Sequence, residues 1–349
     1  MKNNQLESEM YEQKMLNTYQ SYIQNGNLRI WSDKLLQSFK FVEKLNITNL
    51  YIHKCTYVNF ITVPNNILCL TLCGGNSKKI AGLKQMTQLL ELALKECRLQ
   101  NIEELIILTN LTVLHLDSNF LKDISGLTSN SLQNLTELKI TNNPALSDIS
   151  YIQYLKQLTV LSLENSSVSD VSALYSLIHI KDLNLSKNSI QSIHSLQFLR
   201  SLTKLLLNRN QIIDLFPLTE LQNISQLGLN SNQIHLLPHF KHQIQHLVMV
   251  GNFVQDLHPL NNQINLNTFI LTSVGFEQQT APKELQKTST KIFQIQNQIL
   301  KLKQTQQFQL KTKKRITKVV ENGLKNVAEI KLQQIQFTGK VVFMLQHMM

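Results

Sequence analysis

The chain repeats itself about every 22 residues, and that period restricts its fold more than any other feature of its 349 residues. The stretch "IKDLNLSKNSI" at 180–190 shares one apolar skeleton with "LTVLSLENSSV" from Leu158, "LTKLLLNRNQI" from Leu202 and "ISQLGLNSNQI" from Ile224. Units begin at Ile47, Ile67, Leu89, Leu111, Leu135, Leu158, Ile180, Leu202, Ile224, Ile244 and Leu266, which makes ten full units and a partial eleventh. Self-similarity at such a period marks a solenoid. Each unit is one coil, too small to bury its own apolar edge and stable only against its neighbours.

Within a coil, apolar residues at positions one, four and six read as a short strand that feeds side chains inward. Stacked coils make these strands parallel neighbours in one curved sheet, spanning about 50 Å at roughly 4.8 Å per strand. Positions two, three, five, seven and eight then line its open, concave face. The expected fold class is an α/β solenoid.

Two polar columns accompany the skeleton. Asparagine holds position nine as Asn119, Asn143, Asn188, Asn210, Asn232 and Asn252, with Cys55, Cys97 and Ser166 standing in elsewhere. Where the chain leaves the strand its backbone groups lose their sheet partners, and an amide supplies both donors and an acceptor. Aspartate recurs in "KDISGL", "SDISYI", "SDVSAL", "IDLFPL" and "QDLHPL" as Asp123, Asp148, Asp170, Asp214 and Asp256. An acceptor just ahead of a short helical turn caps free N–H groups, so one 3₁₀ or α turn per coil is expected on the convex side.

The LxxLxLxxNxI skeleton followed by xDIxxL resembles the 22-residue subclass of leucine-rich repeats found in bacterial internalins and in the nuclear regulatory subunit of type 1 protein phosphatase. The resemblance covers about residues 47–276. It implies a horseshoe with a concave parallel β-sheet and short 3₁₀ or α turns outside. The amino-terminal "NLRIWSDKLLQSFKFVEKL" and the Asn/Gln-rich style also resemble leucine-rich-repeat families of diplomonad protists. A face like that of the phosphatase subunit would join acidic residues to several large aromatics, whereas here Tyr51 is the main aromatic read onto the concave side.

Solenoid ends need covers. "LRIWSDKL" at 28–35 echoes the strand at positions four, six and eleven, one step before Ile47. Upstream, Met10, Met15, Leu16, Tyr19, Tyr22 and Ile23 follow near-helical spacing and predict an amphipathic capping helix. Residues 1–46 are thus read as an amino-terminal cap and 47–276 as the array. After Phe276 the composition turns to Gln, Lys and Thr. Ile292, Ile295, Ile299 and Leu302, then Ile316, Val319, Val320, Leu324, Val327 and Ile330, predict two helices in 277–349, a second cap or a short coiled coil.

Chemistry is sparse. No Gly-rich phosphate loop, GxSxG or HExxH motif is present, so no catalytic residue, cofactor, metal or small-molecule substrate is expected. His235, His239, His242 and His246 are close in sequence, but the repeat register sends His246 to the next strand. Cys55, Cys69, Cys73 and Cys97 lack CxxC spacing and read as reduced thiols. No stretch reaches the roughly 18 apolar residues of a membrane span. The expected location is cytoplasmic or nuclear.

The face itself is the candidate site. Middle coils present Glu91, Lys95, Glu96, Asp117, Glu137, Lys139, Glu164, Lys181, Asp182, Lys187 and Lys204, while later coils turn apolar with Leu206, Val248, Val250 and Ile270 around Gly228. This pattern points to a protein partner on the concave sheet and a non-catalytic scaffold. Charge suggests an alternative. Residues 277–349 hold 13 Lys/Arg against 4 Asp/Glu, most of the chain's net +11. Lys301, Lys303, Lys311, Lys313, Lys314, Arg315 and Lys318 would dock an adaptor on an acidic surface, nucleic acid or anionic membrane.

Overall fold

A computed structural model describes residues 2–31, 40–53, 66–74, 81–128, 130–254 and 256–271. All of these belong to one of the chain's two units, Met1–Ser289; the other, Thr290–Met349, contains none of them. The basic residues and paired helices expected in 277–349, and Cys55, therefore lie outside the described residues.

Twelve strands follow one another at repeat intervals: β1 (Asn27–Trp31), β2 (Asn49–His53), β3 (Cys69–Cys73), β4 (Glu91–Lys95), β5 (Val113–His115), β6 (Glu137–Lys139), β7 (Val160–Ser162), β8 (Asp182–Asn184), β9 (Lys204–Leu206), β10 (Gln226–Gly228), β11 (His246–Val248) and β12 (Thr268–Ile270). They form a single open sheet in chain order, and every pair is parallel. The pairing register equals the sequence register, so Leu161, Leu183 and Leu205 are direct neighbours. Strand pleating puts this column on the buried face from Leu28 to Leu247, while its flanking residues point out. A fully buried leucine contributes about 1.5–3 kcal/mol, available only when the next coil covers it.

Of the unit expected at 28–35, residues 28–31 lie in β1, which pairs with β2 throughout its length, and residues 32–35 lie outside the described residues. Helix α1 (Lys2–Gln20) lies before it. Met15 and Tyr19 are buried, and Tyr19 stacks on Phe41 at 5.4 Å. Leu16 and Ile23 pack against this core, whereas Met10 is 67% exposed and Tyr22, 62% exposed, meets it only through the Tyr19 ring at 6.3 Å. Near-helical spacing alone could not separate the covering face from its margins.

Position nine behaves as a ladder. The Asn188 amide donates to Leu163 O (2.8 Å) and Leu185 O (3.0 Å), and its Oδ1 accepts from Val168 N (3.0 Å) in the preceding coil. Asn119, Asn210, Asn232 and Asn252 repeat this arrangement. The substitutes are weaker. Cys97 Sγ reaches Lys95 O at 3.3 Å, and the buried Ser166 Oγ has no hydrogen-bond partner.

The aspartates also cap. Asp148, Asp170, Asp214 and Asp256 each accept from the backbone N–H two residues on, at 2.8 or 2.9 Å. These bonds open the 3₁₀ turns Ser150–Tyr154, Ser172–Ser176, Phe216–Glu220 and His258–Leu260. Asp123 makes the same bond to Ser125, but that coil forms only a plain turn. Backbone N–H bonds hold the Asp123 carboxyl below its usual range, and the same holds for Asp256.

One further column is absent from the sequence reading. Position eight adopts left-handed backbone from Gly74 through Glu96, Ser118, Asn142, Asn165, Lys187, Arg209 and Ser231 to Gly251, with φ between 55° and 73°. In this conformation the N–H groups from Gly74 to Ser231 turn to the next coil: Lys187 N meets Asn208 O and Arg209 N meets Asn230 O, both at 2.6 Å. Only glycines and asparagines advertise such a position, and here most occupants are neither. No helix among the described residues is long and apolar enough to cross a membrane.

Candidate interaction face

The outward side chains of the sheet fall into three columns, at positions three, five and seven. Strand pairing sets Glu91, Val113, Glu137, Val160, Asp182 and Lys204 side by side, and next to them Ala93, His115, Lys139, Ser162, Asn184 and Leu206. The hydroxyls of Thr112, Thr136, Thr159 and Thr203 each donate to a carbonyl of the preceding coil at 3.0–3.1 Å.

The expected charged residues come together, and they engage one another. Glu137 takes hydrogen bonds from Lys139 (2.5 Å) and His115 (2.8 Å). Burial pushes the Glu137 carboxyl up, but Lys139 and His115 outweigh it and hold it below its usual range. Lys95 pairs with Asp117 at 3.5 Å, Lys187 with Glu164 at 2.7 Å and Lys204 with Asp182 at 2.9 Å. Asp117 Oδ1 also accepts from Thr141 N and Oγ1, at 3.2 and 2.6 Å. Half-exposed pairs of this kind contribute about 0–1 kcal/mol each to stability. Their larger effect is to fix the charge pattern that the face presents.

Later coils are less open than their sequence suggests. Leu206, Val248 and Val250 are half-buried, and Ile270 is buried at 7% exposure. A Cβ on Gly228 would sit 3.0 Å from Leu206 Cδ2 and 3.1 Å from Asn208 Oδ1, so these side chains already lie across the glycine. Asn208 and Asn230 extend a second amide ladder here: Asn208 Oδ1 accepts from Asn230 N (2.9 Å), and Asn230 Oδ1 from Val250 N (2.8 Å).

The amino-terminal strands carry what the sequence reading missed. Trp31 is 65% exposed and stacks on His53 at 4.0 Å and 11°, while the Arg29 guanidinium lies 5.2 Å from the centre of the Tyr51 ring. The register Arg29↔Tyr51 and Trp31↔His53 places all four on the outward face. The face therefore has far more aromatic area than Tyr51 alone. Stepping one repeat back from Ile47 assigns Arg29 to position five and Trp31 to position seven; reading that unit only as a cap hid them.

Reactive groups are held in quiet states. Burial, then the neighbouring Glu91 carboxylate, pushes the Cys69 thiol up to about 11, which disfavours the nucleophilic thiolate. Burial also raises Tyr51, with Cys69 adding to the effect. The four clustered histidines diverge. His235 stacks on Phe253, His246 on β11 bonds Thr268 Oγ1, His239 is exposed, and His242 is buried with neither ring nitrogen partnered. Among the described residues no group of three His, Cys, Asp or Glu side chains is arranged to hold a metal.

Comparison with known proteins agrees with this geometry. The leucine rich repeat family model matches residues 109–168. An internalin from Listeria monocytogenes superposes with a TM-score of 0.61 at 24% identity, over 79% of this chain and 73% of that one. A leucine-rich-repeat protein of Leptospira interrogans gives 0.52 at 21% identity, over 74% and 81%. At these identities the likeness is one of fold. No curated protein matches the sequence. With its in-register leucine strands, its amide ladder and its 3₁₀ turns, the chain has the leucine-rich-repeat fold.

Proposed function

We propose that the protein is a non-catalytic scaffold that holds a protein partner on the outward face of its sheet. One observation carries this reading: the inward position-four column is leucine from Leu28 to Leu247, whereas the outward columns change chemistry from strand to strand. A repeated interior builds shape, and a non-repeating exterior on the same strands encodes recognition. Glu91, Lys95, Asp117, Glu137, Lys139, Glu164, Asp182 and Lys204 are the proposed polar contacts, with Leu206, Val248 and Val250 at the apolar end. Fixed charge pairs favour orientation and specificity over raw affinity.

The test is affinity capture from native cells with the triple variant Glu91→Lys, Glu137→Lys, Asp182→Lys against Lys156→Glu, which alters an exposed residue after a 3₁₀ turn. The triple variant should lose the partner and the control retain it. Unchanged capture by a folded triple variant would refute the middle-coil contacts.

The charge of 277–349 supports a second role, in which the basic tail docks on nucleic acid or anionic membrane. Such binding should fall steeply with salt and vanish on deletion of that segment. A cytoplasmic or nuclear setting fits the free thiols of Cys69 and Cys73.

A further inference from the structure

We propose that β1 and β2 carry the principal contact of the sheet face, and that its occupant is an extended acidic segment of a protein partner, with a carboxylate on Arg29 and an apolar side chain on Trp31. This rests on the scaffold reading above and names the chemistry it leaves open.

Charge distribution argues for an acidic occupant. In the middle coils Lys95, Lys139, Lys187 and Lys204 each have a carboxylate at hand. The outward residues of β1, β2 and β3 include no Asp or Glu, and Arg29 is their one formal charge. Among the described residues no carboxylate pairs with Arg29. Its guanidinium is oriented by the Tyr51 ring, which leaves the N–H donors at its edge free to meet a carboxylate in two parallel bonds. Lys95, Lys139, Lys187 and Lys204 would each have to break an existing pair to do the same.

Trp31 supplies the second half. Its indole is held flat against His53, so little side-chain freedom remains to be lost on binding, yet 65% of its surface faces water. Tryptophan, tyrosine and arginine are the residues that dominate binding energy at interfaces, and here they occupy two adjacent strands. Arg29 and Trp31 lie two residues apart on one strand, about 7 Å. That matches side chains i and i+2 of an extended partner, an acidic residue followed by any residue and then an apolar one.

Trp31 is the only tryptophan of the chain, so its emission reports on this site in the full-length protein. The probe is a synthetic peptide of repeating Glu-Thr-Leu, with repeating Lys-Thr-Leu as the charge-reversed control. The acidic peptide should change Trp31 emission saturably and the basic one should not. Arg29→Glu should weaken the acidic peptide by roughly tenfold or more, with Arg29→Lys intermediate. Both side chains are exposed, and circular dichroism verifies that the variants fold. An equal response to both peptides, or undiminished affinity in Arg29→Glu, would overturn the proposal. So would a peptide-free emission change that rises with protein concentration alongside a doubled sedimentation mass, since the face would then belong to a second copy. If Trp31 stays silent while the middle-coil reversal abolishes capture, this inference falls and the scaffold stands. If Trp31 responds but the reversal leaves capture intact, the contact lies at β1 and β2 and the middle-coil contacts fall.

Discussion

Replacing Asn210 with alanine probes the amide ladder at one rung. Asn210 Nδ2 donates to Leu185 O at 2.9 Å and Leu207 O at 3.0 Å, and Oδ1 accepts from Ile190 N at 3.1 Å. The side chain is 7% exposed, so water does not replace these bonds. At about 1 kcal/mol net per bond the substitution costs about 3 kcal/mol, and more where a stranded carbonyl keeps its full desolvation penalty. For an array of this size that lowers Tm by about 6–12 °C. Asn223→Ala is the control, because Asn223 makes one exposed bond to Arg200 O at 2.8 Å and should cost about 1 kcal/mol or less. Urea unfolding supplies the free energies, and native-state hydrogen exchange should lose protection at the Ile190 amide. A loss no larger than that of Asn223→Ala would refute the ladder as a source of stability.

Other changes follow from the same geometry. Ser166→Asn should add donors where the serine hydroxyl is buried without a partner, raising stability by about 1 kcal/mol in urea unfolding. Gly251 has a φ of 73°, and its added Cβ would meet nothing closer than 3.5 Å. Gly251→Val should therefore cost about 1–2 kcal/mol through backbone strain, and Gly251→Asn clearly less, by thermal melts. Burial depresses the pKa of His242. The unfolded chain then binds the extra proton first, so His242's contribution is complete above about pH 6.5 and is lost as pH falls below it, at up to about 1.4 kcal/mol per pH unit. His242→Phe should flatten that part of the stability profile.

The solenoid was legible because its causes recur. Leu183 must be apolar for the same reason as Leu161 and Leu205, so one repeat taught the next. Asn188 and Asp170 were legible likewise, since amide and carboxylate chemistry at a fixed offset has few uses. Position eight was not, because left-handed backbone at Lys187 and Arg209 is imposed by the carbonyl of the next coil and leaves no mark on residue type. The face was half legible. Sequence placed Glu137, Lys139, Asp182 and Lys204 outward but could not show that they pair, since the distance between side chains depends on rotamers. Ile270 and Leu206 were read as exposed because an apolar letter at position five carries no information about what covers it. Trp31 was overlooked for a different reason: its unit reads as a cover for the end of the array, so its outward positions five and seven are not counted with the face.

The central claim is that recognition takes place on the outward face of the sheet. Photo-crosslinking groups placed singly at Val113 and Val160 on that face, and at Tyr175 and Phe198 on the 3₁₀ turns, test it in the intact protein. The account predicts crosslinks to one partner from the strand positions and none to that partner from the turns. Crosslinks from Tyr175 and Phe198 with silence at Val113 and Val160 would contradict it.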